Sequence, residues 1–154
     1  MTSESPTISI LRARLAGTPV GLSASAIRDI VRSVAIAPLP GAPPIIEGAI
    51  NLHGRIVPVV DLRSRLNLPA LANAPDQFLV ILETSDRLIA IRVEDVDDVT
   101  DVSTAGFATQ TGLSPALQRL DGVAATADGA LVIYDADAFL TQAERDALAD
   151  AEAV

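Results

Sequence analysis

The chain's single histidine, His53, is the first residue to examine for chemistry, because an imidazole can serve as a base or a metal ligand near neutral pH. It lies in "GAINLHGRIVPVVDLRSRL" (48 to 66), with Asp61 eight positions on. A small hydrolase would combine His53 with Asp61 or a serine, but no nucleophile-elbow pattern accompanies them. One histidine and no cysteine also leave a typical protein zinc site without ligands. The acidic run "EDVDDVTD" (94 to 101) lacks the central glycine and terminal glutamate of a helix-loop-helix calcium site, and reads as a solvated strand edge. Asp61 and Asp135 each end an apolar run just before "LRSRL" or "ADAFL", where a carboxylate caps a short helix. Gly48, Gly54, Gly122 and Gly129 are dispersed as bulge and turn residues, whereas a phosphate cradle needs them clustered before a helix. No catalysis, cofactor or metal is expected, and His53 reads as a turn residue.

Composition narrows the partners. Twenty acidic residues face eleven basic ones, all arginine, for a formal charge of −9 over 154 residues. Such a chain repels phosphate backbones, and three Phe, one Tyr and no Trp supply few platforms for stacking bases, so nucleic acid is excluded. No apolar run approaches the roughly 18 residues of a membrane span, so no direct membrane insertion is expected. The most apolar stretch, 34 to 46, is broken by four prolines and a glycine. The N-terminus lacks the pattern of a secretory signal, which predicts a cytoplasmic location.

The elements that must position these residues are strands. Alternation and β-branched clusters predict them at 7–15, 27–36, 45–52, 55–61, 77–84, 87–93, 96–102, 117–126 and 130–135, separated by turn-forming segments. Pro58 cannot donate to a ladder, so its strand is an edge or is paired on one side at that point. One clear helix follows, in "TQAERDALADA" (141 to 151), where Thr141 and Glu144 have capping-box spacing. Gly48, Asp61 and Leu66 share their mutual spacing with Gly122, Asp135 and Leu140, an offset of 74. Ile27 and Ile30 match Val96 and Val99 at an offset of 69, each pair following a short apolar strand and a turn. This order of elements predicts two related β units joined by "LNLPALANAPD".

The motif "PGAPPIIEGAINLHGRIVPVVDLRSRL" (40 to 66) resembles the signature of CheW-like domains: a Pro-Gly-x-Pro turn, an aliphatic stretch, glycine, Asn-Leu-Arg-Gly, then Pro-x-x-Asp-Leu-Arg. Further similarity lies in "AIRDIVR" (26 to 32), "RLIAIRVEDVDDV" (87 to 99) and "LDGVAATADGALVIYDADAFL" (120 to 140). The resemblance implies an all-β fold of two five-stranded, SH3-like barrels with short helices, one subdomain over about 7–70, a second over about 76–140, and a C-terminal helix at about 141–151. It implies a non-catalytic adaptor that couples the cytoplasmic tips of chemoreceptors to a CheA-type histidine kinase, with other CheW-like domains as further partners. Kinase contacts would come from the ends of the second barrel and the counterpart surface of the first. Carried over position by position, the receptor groove would be lined by Ile27, Asp29, Gly48, Leu52 and His53, with Leu88 and Ile89 from the second half. The family usually has arginine where this chain has His53 and glutamate where it has Asp29, and Ala90 stands for its usual glycine with Arg92 pointing from the strand. Arginine offers a permanently charged fork, whereas histidine is shorter and mostly neutral near pH 7. These departures leave open a divergent solitary domain that competes for the same partners or serves another receptor cluster.

Overall fold

The computed structural model describes residues 7–103, 120–126 and 129–152. In chain order they form β1 (Thr7–Leu15), β2 (Thr18–Ser23), a 3-10 turn (Ala24–Ala26), β3 (Ile27–Arg32), β4 (Ile46–Leu52), β5 (Arg55–Val60), α1 (Leu62–Arg65), β6 (Phe78–Glu83), β7 (Leu88–Val93), β8 (Asp95–Ser103), β9 (Leu120–Thr126), β10 (Gly129–Tyr134), a second 3-10 turn (Ala136–Phe139) and α2 (Gln142–Glu152). The expected strand at 117–126 begins outside the described residues and is seen from Leu120 onward. The strand expected at 27–36 ends at Arg32, and the chain beyond crosses over to β4 through paired hydrogen bonds between Ala37 and Ala49. That crossing closes the second sheet into a barrel.

The first sheet has the order β8-β1-β2-β10-β9 and the second β3-β6-β7-β5-β4. Pairing β1 with β6, β2 with β7, and β3 to β5 with β8 to β10 makes the two orders identical. The duplication read from residue spacing is thus visible as topology, down to single positions. In β4 and β5 a bulge separates Ile46↔Val60 from Gly48↔Val59, and in β9 and β10 the same irregularity separates Leu120↔Tyr134 from Gly122↔Ile133. Val59 and Val60 run parallel to Ala90 and Ile91, as Ile133 and Tyr134 do to Gly21 and Leu22. Asp61 Oδ1 accepts from the Ser64 amide at 3.1 Å and Asp135 Oδ1 from the Asp137 amide at 3.0 Å, so both aspartates are helix caps.

The pairing corrects the expected subdomain boundary. Each barrel takes two strands from one half of the chain and three from the other, so β1 and β2 belong with β8 to β10, and residues 7–70 do not form a unit of their own. Of the two possibilities for Pro58, pairing on one side is the one observed: β5 lies between β4 and β7, but the parallel ladder to β7 starts at Val59, leaving Pro58 paired only with Ala49. The missing N–H costs no ladder bond there.

Apolar burial explains why the barrels do not separate. One core cluster draws Leu11, Leu15, Val20 and Leu22 from the first sheet and Val60, Val80, Leu82, Ile89, Ile91 and Val93 from the second. A smaller cluster, with Ile50, Val57, Val59, Leu79, Ile81 and Ala90, fills the second barrel. Alternate residues of β6 and β7 serve the two clusters in turn, as the two-residue period of a strand requires. Arg92 interrupts the pattern without facing water: it is buried, donating to Glu47 at 2.7 Å and Gln77 at 2.8 Å, and so ties the β4 bulge to the start of β6. The C-terminal helix seats its fully buried Leu148 in the shared core.

Candidate functional site

The β4–β5 hairpin turns on two residues, His53 and Gly54, with φ of 53° and 86°. Positive φ at both central positions is the turn whose twist matches that of paired strands, and glycine is suited to the second of them. Asn51 Oδ1 accepts from the Gly54 amide at 2.7 Å and braces the turn. His53 itself is exposed at the tip, and no hydrogen bond or ion pair joins it to another described residue. Asp61 lies beyond the far end of β5, a six-residue strand of roughly 20 Å, and is spent capping α1. The pairing that a His53–Asp61 hydrolase needs is therefore ruled out by strand geometry. Among the described residues no group of three or more His, Asp or Glu is placed to hold a metal ion.

The residues expected to line a groove fall into three places. Leu52 and Leu88 are half-buried and pack on the inner cluster of the second barrel, capping its end beside the exposed His53. Ile27 and Asp29 lie on β3, an edge strand: Ile27 is half-buried against the shared core, and Asp29 is exposed, its Oδ1 accepting from the Ile30 amide at 2.8 Å. Gly48 and Ile89 are not on the surface. Ile89 is fully buried opposite Leu82, which is also the partner of Ile27, so it backs Ile27 from within the sheet. At Gly48, φ is 155° and a Cβ would stand 2.2 Å from the Ala37 carbonyl oxygen. This glycine permits the crossing segment to close the barrel, and its place in the motif comes from packing.

The structure adds residues that spacing alone had brought to notice without a role. Ile30 is 36% exposed, and its counterpart Val99, on the edge strand β8, is 53% exposed. Their partners Ile27 and Val96 both pack on the shared core. Each barrel therefore presents an edge strand with one aliphatic anchored inward and another, three residues on, left in solvent. Ile56, 57% exposed on the hairpin opposite Asn51, extends the apolar surface beyond Leu52. An edge strand with aliphatic side chains and open backbone groups can receive a helix face or another strand without any cofactor.

The β6–β7 loop closes the site on its other side and is fastened to α2. Thr84 Oγ1 donates to the Arg87 carbonyl at 2.8 Å, and Arg145 of α2 forms ion pairs with Asp86 and Asp137. Arg87 is paired with Glu152, and Arg65 donates two bonds of 2.5 Å to Glu144. Burial alone would raise the pKa of the Glu144 carboxyl, but the Arg65 guanidinium and Thr141 outweigh it and hold the group below its usual value. Asp86 is likewise held low: burial works upward, while Thr84, Arg145 and Arg87 stabilise the anion.

Comparison with known proteins gives a consistent result. The family model for the CheW-like domain matches residues 9–144. The chain is 26% identical over 124 residues to the chemotaxis protein CheW of Rhizobium meliloti, covering 79% of this chain and 80% of that one. It is 33% identical over 86 residues to the chemotaxis protein CheW of Bacillus subtilis, covering 56% and 55%. The crystal structure of the scaffolding protein TtCheW from Thermoanaerobacter tengcongensis superposes with a TM-score of 0.80 over 92% of both chains, at 24% identity.

Proposed function

The chain belongs to the family of CheW-like domains, non-catalytic modules of chemotaxis, and from that premise we propose that it couples chemoreceptor cytoplasmic tips to a CheA-type histidine kinase. The observation that carries this reading is the apolar edge of β3, where Ile27 is anchored in the shared core and Ile30 stands in solvent, next to the barrel end capped by Leu52 and Leu88. A receptor tip built as a helical hairpin can lay an apolar face there while the two barrels, held by one core, act as a rigid support. Of the residues that the family resemblance points to, Ile27, Asp29, Leu52, His53 and Leu88 are exposed or half-buried, which supports their contact with the receptor, and the buried Gly48 and Ile89 would shape the surface from beneath it. Among the described residues no helix is long and apolar enough to cross a membrane, and recruitment to a membrane-associated array would proceed through the receptor.

A second reading rests on His53. An exposed histidine, without a hydrogen-bond or ion-pair partner among the described residues, occupies the hairpin tip where the CheW-like motif that this stretch resembles has arginine, which favours a paralogue that serves another receptor cluster or competes for the same partners. Capture of kinase and receptor fragments by the intact chain, followed by a kinase assay in a reconstituted array, distinguishes the readings. Coupling predicts that both fragments are bound and autophosphorylation rises. Competition predicts binding with a fall in activity when a principal coupling protein is present, and absence of binding at micromolar concentrations would refute both.

A further inference from the structure

The depression at the end of the second barrel is lined by Arg28, Arg55, Glu83, Asp86, Arg87 and Leu88. Its two carboxylates are occupied: Glu83 lies 3.1 Å from Arg28, and Asp86 is paired with Arg145. Arg87 is held by Glu152. Arg55 alone among these arginines has no carboxylate partner within the described residues, although it stands exposed on the hairpin directly opposite Leu52. Arg28 and Glu83 are 57% and 50% exposed, so their pair contributes little and exchanges readily for an incoming carboxylate. Three arginines against two carboxylates leave this lining with one net positive charge, carried by Arg55, on a chain of charge −9.

We propose that Arg55, backed by Arg28, is the docking point for a carboxylate side chain on the partner helix, set three or four residues from the apolar residue that rests on Leu52 and Leu88. The inference deepens the receptor-binding reading above and depends on it. An acidic helix approaching this chain is repelled by most of its surface, so a local cation decides where and in which register it settles. The planar guanidinium can hold a carboxylate with two parallel bonds, and residues three or four apart share one helix face. Arg55 lies two residues past His53, so the hairpin retains a permanent cation in a shifted position.

The test measures binding of the intact chain to a soluble chemoreceptor cytoplasmic fragment from the same organism, at low and physiological salt. Arg55→Glu should weaken the complex by about tenfold or more and Arg55→Gln by about threefold, with a shallower salt dependence. A scan of Glu→Gln and Asp→Asn changes in the fragment should reveal one that weakens the wild-type complex but has no further effect on the Arg55→Gln complex. Binding of both Arg55 variants within twofold of wild type at each salt would overturn the inference and leave the receptor reading intact. If the wild-type chain binds no receptor fragment, the receptor reading itself falls and this inference with it.

Discussion

Gly48 shows how one position can be conspicuous in sequence for a reason other than contact. Its added Cβ would meet the Ala37 carbonyl oxygen at 2.2 Å and Ile36 Cγ2 at 2.7 Å, and its φ of 155° is in the region that L side chains avoid. The crossing segment cannot retreat cheaply, because Ala37 is bonded to Ala49 in both directions. Gly48→Ala is therefore expected to destabilise the fold by about 3 kcal/mol, measured as a lower urea midpoint with an unchanged slope. His53 was legible as a turn residue from the Gly54 that follows it. What sequence could not show was burial: Gly48 and Ile89 share a motif or a strand with surface residues, and only the closed barrel distinguishes inside from outside. Arg92 escaped for the same reason, since its partner Glu47 lies 45 positions away on a different strand.

At the scale of elements, α2 was read almost to the residue because its capping box is local. Glu144 donates its amide to Thr141 Oγ1 at 3.1 Å, and the Thr141 amide donates to Glu144 Oε1 at 2.8 Å. The docking of α2 was not legible, since Arg65, Arg87 and Asp86 reach it from distant parts of the chain. This docking sets a pH dependence with a definite sign. Glu144 and Asp86 have folded-state pKa values below their ordinary 4.5 and 3.8, so their contribution to stability is complete above those values and is lost as pH falls through the depressed ones. The amide resonances of α2 should accordingly stay unchanged from neutral pH to about 5 and shift towards an undocked helix under stronger acid, before the strands melt. Glu144→Gln should diminish that acid step, and an α2 that remains docked down to the pH of global unfolding would contradict the assignment.

For the whole molecule, residue spacing was enough to identify the duplication but not the exchange of strands between its halves. Gly48 with Asp61 and Gly122 with Asp135 fix equivalent bulges and caps within each repeat, whereas the pairing of β2 with β10 and β5 with β7 is a long-range choice that local patterns do not encode. Because each barrel needs strands from both halves, fragments ending and starting within 67–77 should be unfolded alone and form a folded complex when mixed, judged by circular dichroism and size. Independent folding of either fragment would oppose this topology. The shared core also packs the two barrels into one body, as the proposed coupling requires. The most direct test of that role is kinase autophosphorylation in an array reconstituted from receptor fragment, CheA-type kinase and the intact chain. Activity should rise with added chain and fail to rise when Ile27 and Ile30 are both replaced by Asp in a variant that remains folded; activity indifferent to the chain would contradict the coupling role.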